Sequence, residues 1–127
     1  MNTDRPERDG ITERIIGCAF TVANTLGSGF LEKVYENALA LELRAAGPVV
    51  EQQRSAHVTY KETLVGEYFI DLLVEGAIII ELKIVRALDR AHRAQSLNYL
   101  RATGKNLCLL INFGTPRVEI QRVVQGP

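Results

Sequence analysis

Long apolar runs are missing from this chain. None approaches the roughly 18 residues that a membrane span needs, which argues against a membrane-spanning helix. The first ten residues, MNTDRPERDG, lack the apolar centre of a signal peptide. With Pro6 and Gly10 they read as a flexible tail, and the protein as cytoplasmic. Cysteine is scarce: Cys18 and Cys108 stand far apart, no C-x-x-C pair exists, and His57 and His92 are near neither. That argues against a zinc site and for buried free thiols. Net charge is absent too, since 15 basic and 15 acidic side chains cancel. Bulk charge therefore points to no polyanionic partner, although it averages over local patches. Internal repeats, low-complexity tracts and linkers are not found.

What is present suits one core. At 127 residues and 46% hydrophobic, residues 11–127 are expected to form a single domain without staples. Ile15, Ala19, Val22 and Leu26 make one stripe of a helix over 12–26, with Thr12 as N-cap and Gly27 as stop. Gly27-Ser28-Gly29 turns the chain into a second helix, about 30–46, striped by Leu31, Tyr35, Leu39 and Leu43 and ended by Gly47-Pro48. The period then changes to two. Strands are predicted over 49–60, 65–74 and 77–85, with turns at Lys61-Glu62-Thr63 and Glu75-Gly76. A helix over 88–103 starts near Asp89 and stops at Gly104. The run NLCLLINF suits a strand buried on both faces, and 117–124 an edge-like last strand. The order α-α-β-β-β-α-β-β predicts an α/β sandwich, a mixed sheet with helices packed against it.

Charges interrupt the two most apolar strands. In AIIIELKIV, Glu81 and Lys83 stand two apart and so share a face. Asp71 is alone within FIDLLV on the neighbouring strand. Buried charges cost several kcal/mol each unless they are paired or bind a metal. Asp71 and Glu81 on adjacent strands can hold a hard divalent cation, with the Leu82 carbonyl as a further ligand. Lys83 cannot bind the metal, but it can orient a water and offset phosphate charge. The competing reading is a buried ion pair. A shared site also demands a particular register. A regular two-residue loop at Glu75-Gly76 would oppose Asp71 to Ile80 and turn Glu81 to the other face. An odd-length loop, most simply three residues with Gly76 left-handed, is therefore expected. Glu32 allows two readings: with Gly29 as N-cap it lies at N3 of a capping box, or it belongs to the site.

Asp71 with Glu81-Leu82-Lys83 resembles the metal motif of the PD-(D/E)XK nuclease superfamily. Gly29-Phe30-Leu31-Glu32-Lys33-Val34-Tyr35 is similar to the G-x-x-E-x-x-Y signature of the GxxExxY protein family, assigned to that superfamily. The resemblance covers about residues 11–124. It implies a restriction-endonuclease-like αβ sandwich with a central sheet of about four to five strands. It also implies a metal-dependent nuclease that uses Mg²⁺ or Mn²⁺ on nucleic acid, DNA favoured over RNA. Glu32 would then reach the metal directly or through water, and Gln95 and Tyr99 would match a Q-x-x-x-Y pattern on the helix after the Lys strand. Ile70 stands where the family pattern has proline. Tyr35 and His92 are weaker candidates: Tyr35 also fits a core tyrosine, and His92 a partly buried, satisfied histidine rather than a phosphate contact. His57 and Glu51 read as solvated or locally paired. Arg86, Arg90, Arg93 and Arg101 cluster on a helical wheel and read as a solvated face. Leu97 and Leu100 near that stripe hint at a homodimer or a protein partner. The alternatives to a nuclease are a non-catalytic module of the same fold that binds nucleic acid or protein, and a purely structural core in which Lys83 neutralises Glu81 and Asp71.

Overall fold

The switch of period after Pro48 is where the helices stop and the sheet begins. The structure, a computed structural model, describes residues 5–125, with residues 5–9 described by their backbone alone. Helices α1 (Arg5–Leu26) and α2 (Glu32–Ala45) precede strands β1 (Val50–Tyr60), β2 (Thr63–Val74) and β3 (Ile78–Lys83). Helix α3 (Arg90–Thr103) follows, then β4 (Leu107–Asn112) and β5 (Glu119–Val124). The expected order is the observed one. The five strands lie in sequence order; β3 and β4 run parallel and all other neighbours antiparallel. The parallel step requires a crossover, and α3 supplies it. Among the described residues no helix is long and apolar enough to cross a membrane.

The sheet is covered on both faces. Leu72, Val74, Ile80, Leu82, Leu109 and Ile111 pack with Ile15, Ala19, Leu39 and Leu43 of α1 and α2. Ile70, Leu73, Ile79, Cys108 and Val123 pack with Tyr99 and Leu100 of α3. Strand β4 is buried along its whole length, as NLCLLINF requires. Removing this much apolar surface from water is the main force holding the layers together, at about 25 cal/mol per Å².

Several boundaries differ from the sequence reading. Helix α1 begins at Arg5, so Thr12 is an interior residue rather than an N-cap. Thr12 is buried, and its hydroxyl has no hydrogen-bond partner among the described residues. Of the segment expected to be a tail, residues 1–4 lie outside the described residues and 5–10 are helical. The N-cap of α2 is Leu31, with no side-chain cap, not Gly29. Leu100 is fully buried and Leu97 packs beside it on the α3 side of the sheet, so neither marks an exposed contact.

Two hairpin turns set the register. Tyr60 pairs with Thr63 across Lys61-Glu62, whose φ angles of 49° and 65° are those of a type I′ turn. Val74 pairs with Ile78, so the second loop is the three residues Glu75-Gly76-Ala77, with Gly76 left-handed at φ 63°. This is the odd-length loop that a shared Asp71–Glu81 site demands.

Candidate active site

The alternation of β2 breaks at Asp71. Ile70 faces α3 and Leu72 faces α1 and α2, although residues two apart in a regular strand share a face. On β1 the ladder runs from Gln52↔Leu72 to Arg54↔Ile70 and skips Gln53 opposite Asp71. Gln53 has φ 53°, a conformation that non-glycine residues adopt at a cost. The pleat thus inverts along a line through Gln53 and Asp71. This frees Asp71 from the regular pattern.

Beyond Leu72 the β2–β3 ladder stops and carboxylates replace it. The Asp71 amide donates to Glu81 Oε1 at 3.2 Å, and the Leu82 amide donates to Asp71 Oδ2 at 2.8 Å. Each acid is thus held by the other's strand. Ile79 faces α3, and Glu81 and Lys83, two and four residues on, turn the same way. Lys83 Nζ donates to Gln95 Oε1 on α3 at 2.9 Å. Among the described residues no ion pair joins Lys83 to Asp71 or Glu81. The structural alternative needed that pair.

Burial without a bonded cation shows in the proton affinities. Glu81 is 4% exposed. Desolvation, and then the charge of Asp71, push its carboxyl up to about 9, which Lys83 only partly offsets. Asp71 is raised by desolvation, opposed by the Leu82 amide. Glu32 is raised by partial loss of hydration and then by the charge of Asp71, with Lys83 lowering it. Glu32 is the first residue of α2 and exposed. At that position it does not close the N3 capping box; it faces the charges of Asp71 and Lys83 instead. Tyr99 is buried, and its phenol is pushed up to about 12 by burial, then by Glu81 and Asp71. Among the described residues no three His, Cys, Asp or Glu side chains are gathered closely enough to enclose an ion. Glu32, Asp71 and Glu81 thus form no closed three-acid cage among the described residues. The two strand acids hold each other's backbone, and Glu32, at a helix end, lies within the fields of Asp71, Lys83 and Glu81.

The weaker candidates resolve into structural roles. The Tyr35 hydroxyl donates to the Gly27 carbonyl at 2.5 Å and accepts from the Phe30 amide at 3.3 Å. Its ring stacks on Phe113, 4.8 Å between centroids, and the Phe113 amide donates to the Lys83 carbonyl at 3.0 Å. Tyr35 thus ties the loop before Glu32 to the strand end that carries Lys83. His92 Nδ1 accepts from the Asp89 amide at 3.0 Å and closes a capping box at the start of α3. It caps the helix. His57 pairs with Glu67 at 2.9 Å and Glu51 with Arg54 at 2.6 Å. Arg86, Arg90, Arg93 and Arg101 are exposed.

Three residues escaped the sequence reading. Glu36, one turn after Glu32, is 2% exposed. It accepts from Lys33 at 3.0 Å, Gln52 at 2.8 Å and Gln53 at 2.7 Å. Gln53 also reaches Asp71 Oδ1 at 3.4 Å. Spacing of four from Glu32 was a signal for Glu36; Gln53 carried none. Asn112, fully buried, clamps the chain after Lys83. Its amide nitrogen donates to the Val85 carbonyl at 2.9 Å, and its oxygen accepts from the Val85 amide at 3.1 Å. The clamp demands a close approach, because a Cβ on Gly114 would fall 2.5 Å from the Val85 nitrogen.

The sequence matches the PD-(D/E)XK nuclease superfamily over residues 9–123. No curated protein matches it. Among solved structures, the fold is similar to that of SSO0001, with a TM-score of 0.59 and 16% identity over 75% of this chain and 50% of that one. At that identity the likeness concerns the fold alone, and this chain spans half the length of SSO0001. An alkaline exonuclease (LHK-Exo) from Laribacter hongkongensis is more distant, with a TM-score of 0.45 and 13% identity over 99% of this chain and 73% of that one.

Proposed function

The chain belongs to the PD-(D/E)XK nuclease superfamily, and from that premise we propose that it is a metal-dependent nuclease cutting phosphodiester bonds, DNA in preference to RNA. What supports the reading is one observation. Two desolvated carboxylates on adjacent strands hold each other's backbone amides, while the neighbouring lysine is bonded to Gln95 and not to them. Oxygen donors short of positive charge fit a hard divalent cation. Asp71 and Glu81 would hold Mg²⁺ or Mn²⁺, with the Leu82 carbonyl and Glu32 as further donors. When bound, such an ion supplies a Lewis acid that makes water a nucleophile at neutral pH.

The protein's own groups do the rest. Gln95 fixes the Lys83 ammonium beside the carboxylates, where it offsets the charge of the scissile phosphate and orients the attacking water. Glu81, protonated at neutral pH in the metal-free protein, must release its proton on ligation, so metal affinity rises with pH. Tyr99 keeps its phenol proton and can donate it to a phosphate oxygen. The absence of a gathered three-acid cage among the described residues favours a second reading, a non-catalytic module that keeps the fold and binds nucleic acid or a protein.

One set of measurements separates the two. Thermal melts are taken with and without Mn²⁺, alongside cleavage of labelled DNA and RNA strands, for the wild type, Glu81→Gln and Lys83→Ala. The nuclease reading expects a metal-dependent rise in Tm for the wild type and Lys83→Ala, none for Glu81→Gln, and cleavage by the wild type alone. No Tm response and no cleavage in the wild type would overturn it.

A further inference from the structure

The α3 face carries a second feature, outside the carboxylate centre. Between the C-terminal half of α3 and the β1–β2 hairpin lie two hollows of about 380 and 410 Å³. Both are lined by His57 and Ala102, so they adjoin and form one groove. The first also presents Arg54 and Lys105 over a floor that includes Ile70; the second presents Tyr68, Asn98 and Arg101. Among the described residues neither is lined by an acidic side chain. Arg54 and His57 are paired outside the groove with Glu51 and Glu67. Among the described residues the Arg101 guanidinium donates to the neutral Asn98 Oδ1 alone, at 3.2 Å, and with Lys105 it supplies the groove's positive character.

Two lining residues, Ile70 and Tyr68, lead from the groove toward the carboxylates. Ile70, in its floor, precedes Asp71. Tyr68 is 48% exposed and meets Tyr99 edge to face, 5.6 Å between centroids. Tyr99 in turn lies within the fields of Glu81 and Asp71. An aromatic ring open to solvent but braced by a second ring is a platform on which any unpaired base can stack. Cations spaced beyond it suit the phosphates that follow.

We infer that this groove holds a single nucleic-acid strand leaving the carboxylate centre, with an unpaired base stacked on Tyr68 and the backbone phosphates on Arg101 and Lys105. The inference rests on the nuclease reading and names the form of its substrate. A base stacked on Tyr68 has its face uncovered, which a base inside a duplex does not. Single-stranded rather than double-stranded nucleic acid is therefore the occupant.

The test is binding of fluorescent DNA strands of about 4 and about 16 nucleotides and of a blunt duplex, by anisotropy in metal-free buffer over a range of salt. The wild type binds the long strand more tightly than the short one or the duplex. Tyr68→Ala weakens the long strand by about tenfold, and Tyr68→Phe restores it. Arg101→Ala lowers the salt slope by about one, and melts confirm that each variant folds. Unchanged affinity and slope in these variants, a preference for duplex, or no strand binding by the wild type overturns the groove. A Mn²⁺-dependent Tm rise in the same wild-type protein leaves the nuclease reading standing in those cases, and its absence removes both.

Discussion

Two carboxylates lie about equally deep in this protein, Glu36 at 2% exposure and Glu81 at 4%, and their surroundings are opposite. Glu36 accepts three side-chain hydrogen bonds, one from an ammonium and two from glutamine amides. The Glu81 carboxyl has one hydrogen bond among the described residues, from the Asp71 amide, and its nearest strong influence besides burial is another acid. A buried charge that is fully hydrogen-bonded is part of a scaffold. A carboxyl that is desolvated and left beside another acid keeps its proton instead of its charge. Depth alone would not distinguish them; partners do. In the proposed reading, Glu36 anchors the pleat inversion through Gln53, and Glu81 waits for a cation.

The comparison breaks most visibly if the two acids are replaced in turn by leucine in the metal-free protein. Glu36→Leu strands its donors and is expected to cost about 2–3 kcal/mol in chemical denaturation. Glu81→Leu removes a desolvated carboxyl that Lys83 does not pair and that stays in the fold only by keeping its proton, and is expected to raise stability by about 1–2 kcal/mol. Equal signs would dissolve the distinction. Asp71→Ala belongs with Glu81. It should leave metal-free stability unchanged or raised and abolish the Mn²⁺-dependent Tm rise, whereas a loss of about 3–5 kcal/mol would mean that Asp71 is a partner in a structural network.

Titration sharpens the same contrast. With its folded pKa near 9 against an ordinary 4.5, Glu81 keeps its proton in the fold and loses it on unfolding. The unfolded state therefore binds fewer protons between those values. Stability of the metal-free protein falls as pH rises through that window, by up to about 1.4 kcal/mol per unit. Denaturation curves across pH check this, and Glu81→Gln should flatten the slope. The smallest effect on stability is expected at Gln53. Gln53→Gly relieves the left-handed backbone but loses the bonds to Glu36 and Asp71, so stability changes by no more than about 0.5 kcal/mol. Mn²⁺ affinity, read by calorimetry, should nevertheless fall about tenfold, because Asp71 loses its brace.

Much of this was legible in the sequence for definite reasons. Hydrophobic period gave the helices and strands, and turn chemistry gave their ends. Three charges in apolar strands marked Asp71, Glu81 and Lys83. Requiring Asp71 and Glu81 to share a site even dictated the three-residue loop, since register and side-chain direction are coupled. What stayed hidden depends on tertiary contact. Glu36 looks like any charged helix residue until the β1 glutamines close over it. The polar start of α1 has no apolar stripe, so its first turns gave no signal. A helical wheel for α3 orders its residues but does not say which side meets the sheet. The buried seam runs through Ser96, Tyr99 and Leu100, although the wheel sets Leu100 near the arginine stripe. The groove has no sequence signature, because it is formed by two elements far apart in the chain.

The short span over which β2 pairs with β3 has a further consequence. The β1–β2 hairpin is laddered from Val50↔Val74 to Tyr60↔Thr63, whereas β2 meets β3 only over Leu72–Val74. The hairpin and the β3–α3–β4 unit are thus candidates for separate cooperative units, and Asp71 and Glu81 lie on opposite sides of the seam. A transient parting of that seam would separate the two acids while leaving each unit folded. The amides of Asp71 and Leu82, which donate across it, are its natural reporters. In hydrogen–deuterium exchange they should exchange ahead of the β1–β2 ladder in the metal-free protein and slow sharply once a cation bridges the two sides.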